Sequence, residues 1–153
     1  MSSERNTLKL YMGDTGLFVS LAYDESEKTR AEVQRLILCG ALEANLGMLM
    51  ENLVGQMIVA SGRTVYFYAR SSNENAAERM EIDFLIAKNG IGRRHNISPI
   101  EVKKTKRITT TSLEKFRNKF AANLTTSYIV HTGAFSVEGN LVKLPVYLLP
   151  FVL

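Results

Sequence analysis

The sequence predicts an α/β fold built on a mixed sheet, and three observations carry that reading. A long apolar helical repeat occupies the first half of the chain. Three strand-like segments then follow on short polar connections. A second helical stretch and two further strands close the order. Tight turns join antiparallel strands, whereas a helix between two strands lets them lie parallel, so this order implies a sheet of mixed direction.

The elements follow in turn. Lys9 to Leu17 reads as an extended piece entering a turn, punctuated by Gly13 and Gly16. The polar segment Asp24 to Arg30 leads into a helix-like stretch around Ala31 to Leu38. From Ala41 to Ala60, Leu42, Leu46, Leu49, Leu53 and Met57 recur at steps of three and four, which predicts the longest helix. Ser61-Gly62 ends it, glycine being common just past a helix C-terminus. Val65 to Ala69 is β-branched and aromatic, the composition of a strand. After the polar Ser71 to Glu78, Glu81 to Ala87 alternates: Ile82, Phe84 and Ile86 are expected on one face and Glu81, Asp83 and Leu85 on the other. Asn89-Gly90 is a turn signal before a strand at about Ile97 to Lys103, so these three strands are expected as an antiparallel meander. Thr111 and Glu114 have the spacing of a capping box opening a second helix, with Phe116 and Phe120 on one side. Ser127 to His131 and Leu144 to Leu149 supply the last two strands.

A chain of 153 residues, 46% hydrophobic and 22% charged, has the size and composition of one soluble domain, taken as residues 1–153. There is no apolar run of bilayer length, and the polar start Met1 to Thr7 lacks a secretory signal, so a cytoplasmic location without membrane insertion is expected. The single cysteine, Cys39, cannot form an intrachain disulfide and is expected as core packing beside Leu38 and Gly40. A net charge of +4 permits a nucleic-acid partner without requiring one.

The residues that carry chemistry lie on two of the strands. In Ile100-Glu101-Val102-Lys103, Glu101 and Lys103 share a face about 7 Å apart along the backbone, while Ile100 and Val102 face the core. A hairpin with the preceding strand brings Asp83 to the same side. Two carboxylates and an ammonium at one patch are costly as packing, but they suit a hard divalent cation, Mg²⁺ or Mn²⁺, which prefers oxygen ligands. Asp83 and Glu101 are expected to hold the ion and Lys103 to orient the attacking water in phosphodiester hydrolysis. Glu51 adds a carboxylate from the long helix, flanked at four residues either side by Gly47 and Gly55, which would let the helix approach the sheet.

The ordered set of a helical Glu51, the strand Glu81-Ile82-Asp83-Phe84 and the Glu101-x-Lys103 strand resembles the PD-(D/E)XK superfamily of restriction-endonuclease-like nucleases. More narrowly, the chain is similar to the domain of unknown function at the C-terminus of many prokaryotic AAA-type ATPases. The stretches concerned are Lys9 to Leu17, Glu51 to Val54, Tyr66 to Arg70, Glu81 to Phe84, Pro99 to Lys103 and Pro145 to Pro150. Ile82 stands where the superfamily has its eponymous proline. The chain carries no Walker-type phosphate loop. The resemblance implies a restriction-endonuclease-like αβββαβ core, with Glu51, Asp83 and Glu101 as metal ligands and Asp83, Glu101 and Lys103 as catalytic residues. It also implies a metal-dependent endonuclease or exonuclease acting on DNA. The alternative is a non-catalytic module that binds DNA or a partner ATPase, joined in the same chain or separate.

Blander readings stand beside these. A Glu-x-Lys on a strand is by itself most often a solvated face. The basic run Lys103-Lys104-Thr105-Lys106-Arg107 is either a solvated strand end or a contact to backbone phosphates through Lys104, Lys106 and Arg107, which Arg70, Arg93 and Arg94, all at lower rank, would extend. His95 and His131 lack metal-ligand spacing to each other and are expected in structural or solvated roles.

Overall fold

The computed structural model describes residues 8–23, 31–32, 35, 39, 46–70, 78–88, 96–104 and 109–153. Helix α1 (Thr15–Tyr23) is followed by α2 (Leu46–Ala60), the meander β1 (Tyr66–Arg70), β2 (Met80–Lys88) and β3 (Asn96–Val102), then α3 (Thr111–Lys119). Strands β4 (Ser127–His131), β5 (Ser136–Glu138) and β6 (Leu141–Pro145) complete a six-stranded sheet in the order β1-β2-β3-β4-β6-β5. The meander is antiparallel, β3, β4 and β6 are parallel, and β5 pairs antiparallel with β6. The expected α/β fold on a mixed sheet is therefore present. Among the described residues, no helix is long and apolar enough to cross a membrane.

Helices cover both faces. On one, Met50, Val54 and Ile58 of α2 pack on Phe84, Ile86, Ile100, Val102, Tyr128, Val130 and Leu144. On the other, Leu113 and Phe116 of α3 pack on Met80, Ile82, Ile129 and Leu141. The alternation along β4, with Tyr128 and Val130 in the first cluster and Ile129 in the second, fixes these as opposite faces. Phe116 and Phe120 meet at 4.7 Å between ring centroids, and both lie edge-on to Tyr68.

Several expectations are corrected. The α2 stripe Leu46, Leu49, Leu53, Met57 is only partly buried; Met50, Val54 and Ile58 face the sheet. The helix is apolar on nearly all sides, so periodicity does not single out one face. The two glycines are not demanded by space. A Cβ on Gly55 would meet Tyr11 at 3.5 Å and Phe84 at 3.6 Å, and one on Gly47 only Lys104 at 3.9 Å, all ordinary contacts. Lys9 to Leu17 is more than a turn: Asp14 caps α1, its Oδ1 accepting from the Leu17 N–H at 2.8 Å. In α3 the cap position is Thr110, whose hydroxyl pairs with the Glu114 carboxylate. The last strand ends at Pro145 and does not run to Leu149; the chain turns into a 3₁₀ segment, Val146–Phe151, because proline offers no N–H to extend the ladder. Strand β5 was not anticipated, although Gly139-Asn140, with Gly139 at φ +58°, is a two-residue hairpin loop. Cys39 is exposed and not packed in the core, since an apolar neighbour does not set which way a turn residue points. The helix-like stretch 31–38 lies largely outside the described residues, as do Arg93, Arg94 and His95.

Candidate functional site

The site begins with an irregularity in β2. Tyr66 pairs with Leu85 but Tyr68 pairs with Ile82, so two steps on β1 oppose three on β2. That extra residue is a β-bulge at Asp83-Phe84. It breaks the simple alternation: Ile82 packs on the α3 side while Phe84 and Ile86 pack on the α2 side. Below the bulge β2 and β3 separate, with paired residues ending at Phe84–Ile100. The Asp83 carboxylate fills the gap, its Oδ2 accepting the Val102 N–H at 2.8 Å. Lys103 N–H points the other way, to the Val130 carbonyl at 2.8 Å. The backbone of β3 thus stays satisfied where the two strands part.

Glu101 and Lys103 do share a face. The Lys103 ammonium lies 2.5 Å from Glu101 Oε1. Glu101 is 4% exposed, and its Oε2 has no hydrogen-bond partner. Burial raises its pKa above the usual carboxylate range; the Lys103 hydrogen bond and charge oppose that, and the Asp83 charge adds to it.

The fourth side of the site comes from the segment 8–12, which crosses α2 as a strap. Two α2 side chains one turn apart hold it. Asn52 Oδ1 accepts the Met12 N–H at 2.7 Å, and Gln56 donates to the Met12 carbonyl at 3.3 Å. Thr15 bridges both, donating to Gln56 Oε1 at 2.8 Å and accepting from Asn52 Nδ2 at 3.2 Å. This clamp delivers Lys9 and Tyr11. Lys9 Nζ lies 2.7 Å from Glu81, 3.3 Å from Asp83 Oδ1 and 3.9 Å from Glu51. Tyr11 packs on Phe84 with ring centroids 5.2 Å apart. A cleft of about 230 Å³ opens here, lined by Lys9, Tyr11, Phe18, Glu51, Asn52 and Glu81 among others.

The charges in this group act on one another. Burial raises the Glu51 pKa, and the Asp83 and Glu81 charges raise it further against the pull of Lys9 and Lys103. For Lys9, burial disfavours the ammonium, but the Glu81 hydrogen bond and the Asp83 charge outweigh it, so its pKa stands above the ordinary lysine value. Burial, with the nearby carboxylates and against Lys9, pushes the Tyr11 phenol up to about 12. Both groups keep protons in the folded chain that the unfolded chain releases. Their contribution is complete below the unfolded values and falls as pH rises from about 10 towards about 12. The Tyr11 hydroxyl is buried without a partner. Tyr11→Phe should therefore leave stability at pH 7 unchanged or slightly higher and flatten the alkaline decline, as read from urea midpoints between pH 8 and 11.5.

The four leading candidates converge: Glu51 and Asp83 through Lys9, and Glu101 and Lys103 through their pair, with Asp83 between the two. The others do not all join them. Lys104 is exposed beside Gly47, and Arg70 is paired with Glu78 and makes no ion pair with the carboxylates of the site. Lys106 and Arg107 lie outside the described residues. His131 is buried at the end of β4, its Nδ1 accepting from the Gly133 N–H, in keeping with a structural role. Lys9, Tyr11, Glu81, Asn52 and Gln56 were not anticipated. The one signal for them is Asn52 and Gln56, one turn apart in a helix whose other side chains, Glu51 aside, are apolar.

The donor chemistry fits a hard divalent cation: oxygens of Glu51, Asp83 and Glu101, one of them buried and unpartnered. As arranged, no three His, Cys, Asp or Glu among the described residues converge closely enough to hold a metal. The Lys9 ammonium stands among the carboxylates instead.

A family model described as "domain of unknown function (DUF4143)" matches residues 46–149. The chain belongs to this family. The DUF4143 match runs from α2 to the final 3₁₀ segment and takes in Glu51, Asp83, Glu101 and Lys103, whereas Lys9 and Tyr11 precede it. No curated protein and no solved structure matches the chain.

Proposed function

We propose that this DUF4143 chain is a divalent-metal-dependent nuclease domain of the PD-(D/E)XK type, hydrolysing DNA phosphodiester bonds. The observation that carries the reading is Asp83 at the bulge, lodged between diverging strands beside the Glu101–Lys103 pair, with one buried Glu101 oxygen unsatisfied. Glu51, Asp83 and Glu101 would hold Mg²⁺ or Mn²⁺, which when bound supplies an acidified water and neutralises charge on the phosphoryl group. Lys103, freed from Glu101, orients that water and offsets negative charge developing on the phosphate. Asp83 has a second task, holding the β3 backbone through Val102 so that Glu101 and Lys103 stay in place. Lys104, exposed just past β3, would meet backbone phosphate.

The test is cleavage of supercoiled, linear and single-stranded DNA by the purified chain with Mg²⁺ or Mn²⁺. Asp83→Asn and Lys103→Met should each lose roughly 100-fold or more in rate. No cleavage of any form with either metal, together with no Mn²⁺ binding that Asp83→Asn removes, refutes the reading. One observation favours a non-catalytic module instead: the acidic group already carries two internal counter-cations, Lys9 and Lys103. On that second reading the chain binds DNA or an AAA-type ATPase, and binding survives both substitutions.

A further inference from the structure

We propose that Lys9 is the internal counter-cation of the carboxylate site and that a divalent ion binds by displacing it. The inference rests on the reading of Asp83, Glu51 and Glu101 as metal ligands. Three carboxylates, Glu81, Asp83 and Glu51, lie 2.7, 3.3 and 3.9 Å from the ammonium of Lys9, whose side chain is 15% exposed. No other described cation contacts Asp83 or Glu51. A hard cation takes carboxylate oxygens at about 2.1 Å, so one bound to Asp83 would stand within about 5 Å of Lys9 in a partly desolvated cleft. Lys9 also holds the carboxylate oxygens that the ion would take, so its charge weakens binding of the ion for as long as it stays.

The strap is built so that Lys9 can leave. Its anchors, the Asn52 and Gln56 hydrogen bonds, begin at Met12. Leu8 and Leu10, on either side of Lys9, are 78% and 83% exposed, so among the described residues this end is held by Tyr11 on Phe84 and by the Lys9 side chain. Lys9 therefore withdraws without breaking the clamp. In the metal-free chain it keeps Glu51 and Asp83 from repelling each other; with metal bound, the ion takes over that role. Access to the site then depends on a residue that precedes the family match.

Mn²⁺ titration of the intact chain by calorimetry and paramagnetic resonance tests this, comparing wild type with Lys9→Met and Lys9→Arg. Lys9→Met should bind Mn²⁺ about tenfold or more tightly, and Lys9→Arg should stay near wild type because the charge is kept. Lys9→Met should also melt lower without metal and recover at saturating Mn²⁺. Equal affinity in wild type and Lys9→Met, or weaker binding in the variant, overturns the inference while leaving the metal site standing. Absence of Mn²⁺ binding in both overturns the metal reading and this inference with it. In the unsubstituted protein, reductive methylation of Lys9 read by mass spectrometry should become several-fold faster at saturating Mg²⁺. Unchanged labelling counts against displacement even where Lys9→Met fails to fold.

Discussion

Asp83→Ala is expected to cost about 2–4 kcal/mol of folding stability, and Asp83→Asn only about 1, although both should abolish metal-dependent cleavage. Alanine leaves the Val102 N–H, at a residue 7% exposed, with no acceptor where β2 has moved away from β3. An orphaned buried donor alone accounts for about 1–3 kcal/mol. It also removes one of the three carboxylates around Lys9. Asparagine keeps an oxygen for Val102 and loses only the charge, and that loss is partly offset because the Asp83 charge disfavours ionised Glu51 and Glu101. Urea denaturation of both variants measures the difference. A cost below about 1 kcal/mol for alanine would mean that water reaches Val102, and the strand gap would not depend on Asp83. The pair of variants separates the two tasks, since only the chemical one should be lost in full with asparagine.

The sequence made the architecture legible because strand and helix patterning is local. The meander and β4 follow from segments that are β-branched or aromatic and bounded by turn residues, and β4 has the predicted ends, Ser127 and His131. The Glu101-x-Lys103 face follows from a period of two, which the pairing at 2.5 Å bears out. What stayed hidden depends on partners distant in sequence. The alternation Ile82, Phe84, Ile86 looks regular along the chain, yet the bulge is visible only in the register against β1. Lys9 lies 74 residues before the aspartate it pairs with, and nothing local to Lys9 marks that meeting. The buried face of α2 is ambiguous in the sequence because Leu46 and Met57, beside the buried Met50, Val54 and Ile58, also pack against the core, so the apolar surface is wider than one stripe.

Phe84→Ala should cost about 3–5 kcal/mol, and the way this cost combines with others tests the bulge itself. Phe84 is fully buried on the α2 side, against Tyr11 of the strap and the backbone at Gly55. Truncation there leaves a cavity under both the strap and α2, which position Lys9 and Glu51 respectively. Were β2 regular, Ile82 and Phe84 would be neighbours on one face and their truncations would couple. With the bulge they sit in separate clusters on opposite faces. Ile82→Ala and Phe84→Ala should then add to within about 0.5 kcal/mol, whereas Tyr11→Ala and Phe84→Ala should depart from additivity by about 0.5–1.5. Denaturation of the single and double variants gives both cycles. Strong coupling of Ile82 to Phe84 would restore the regular strand. Asp83 would then return to simple alternation, facing away from Phe84 and the strap. The position of the acidic site thus hangs on one extra residue in β2, and the Phe84 cycles measure it without reference to any activity.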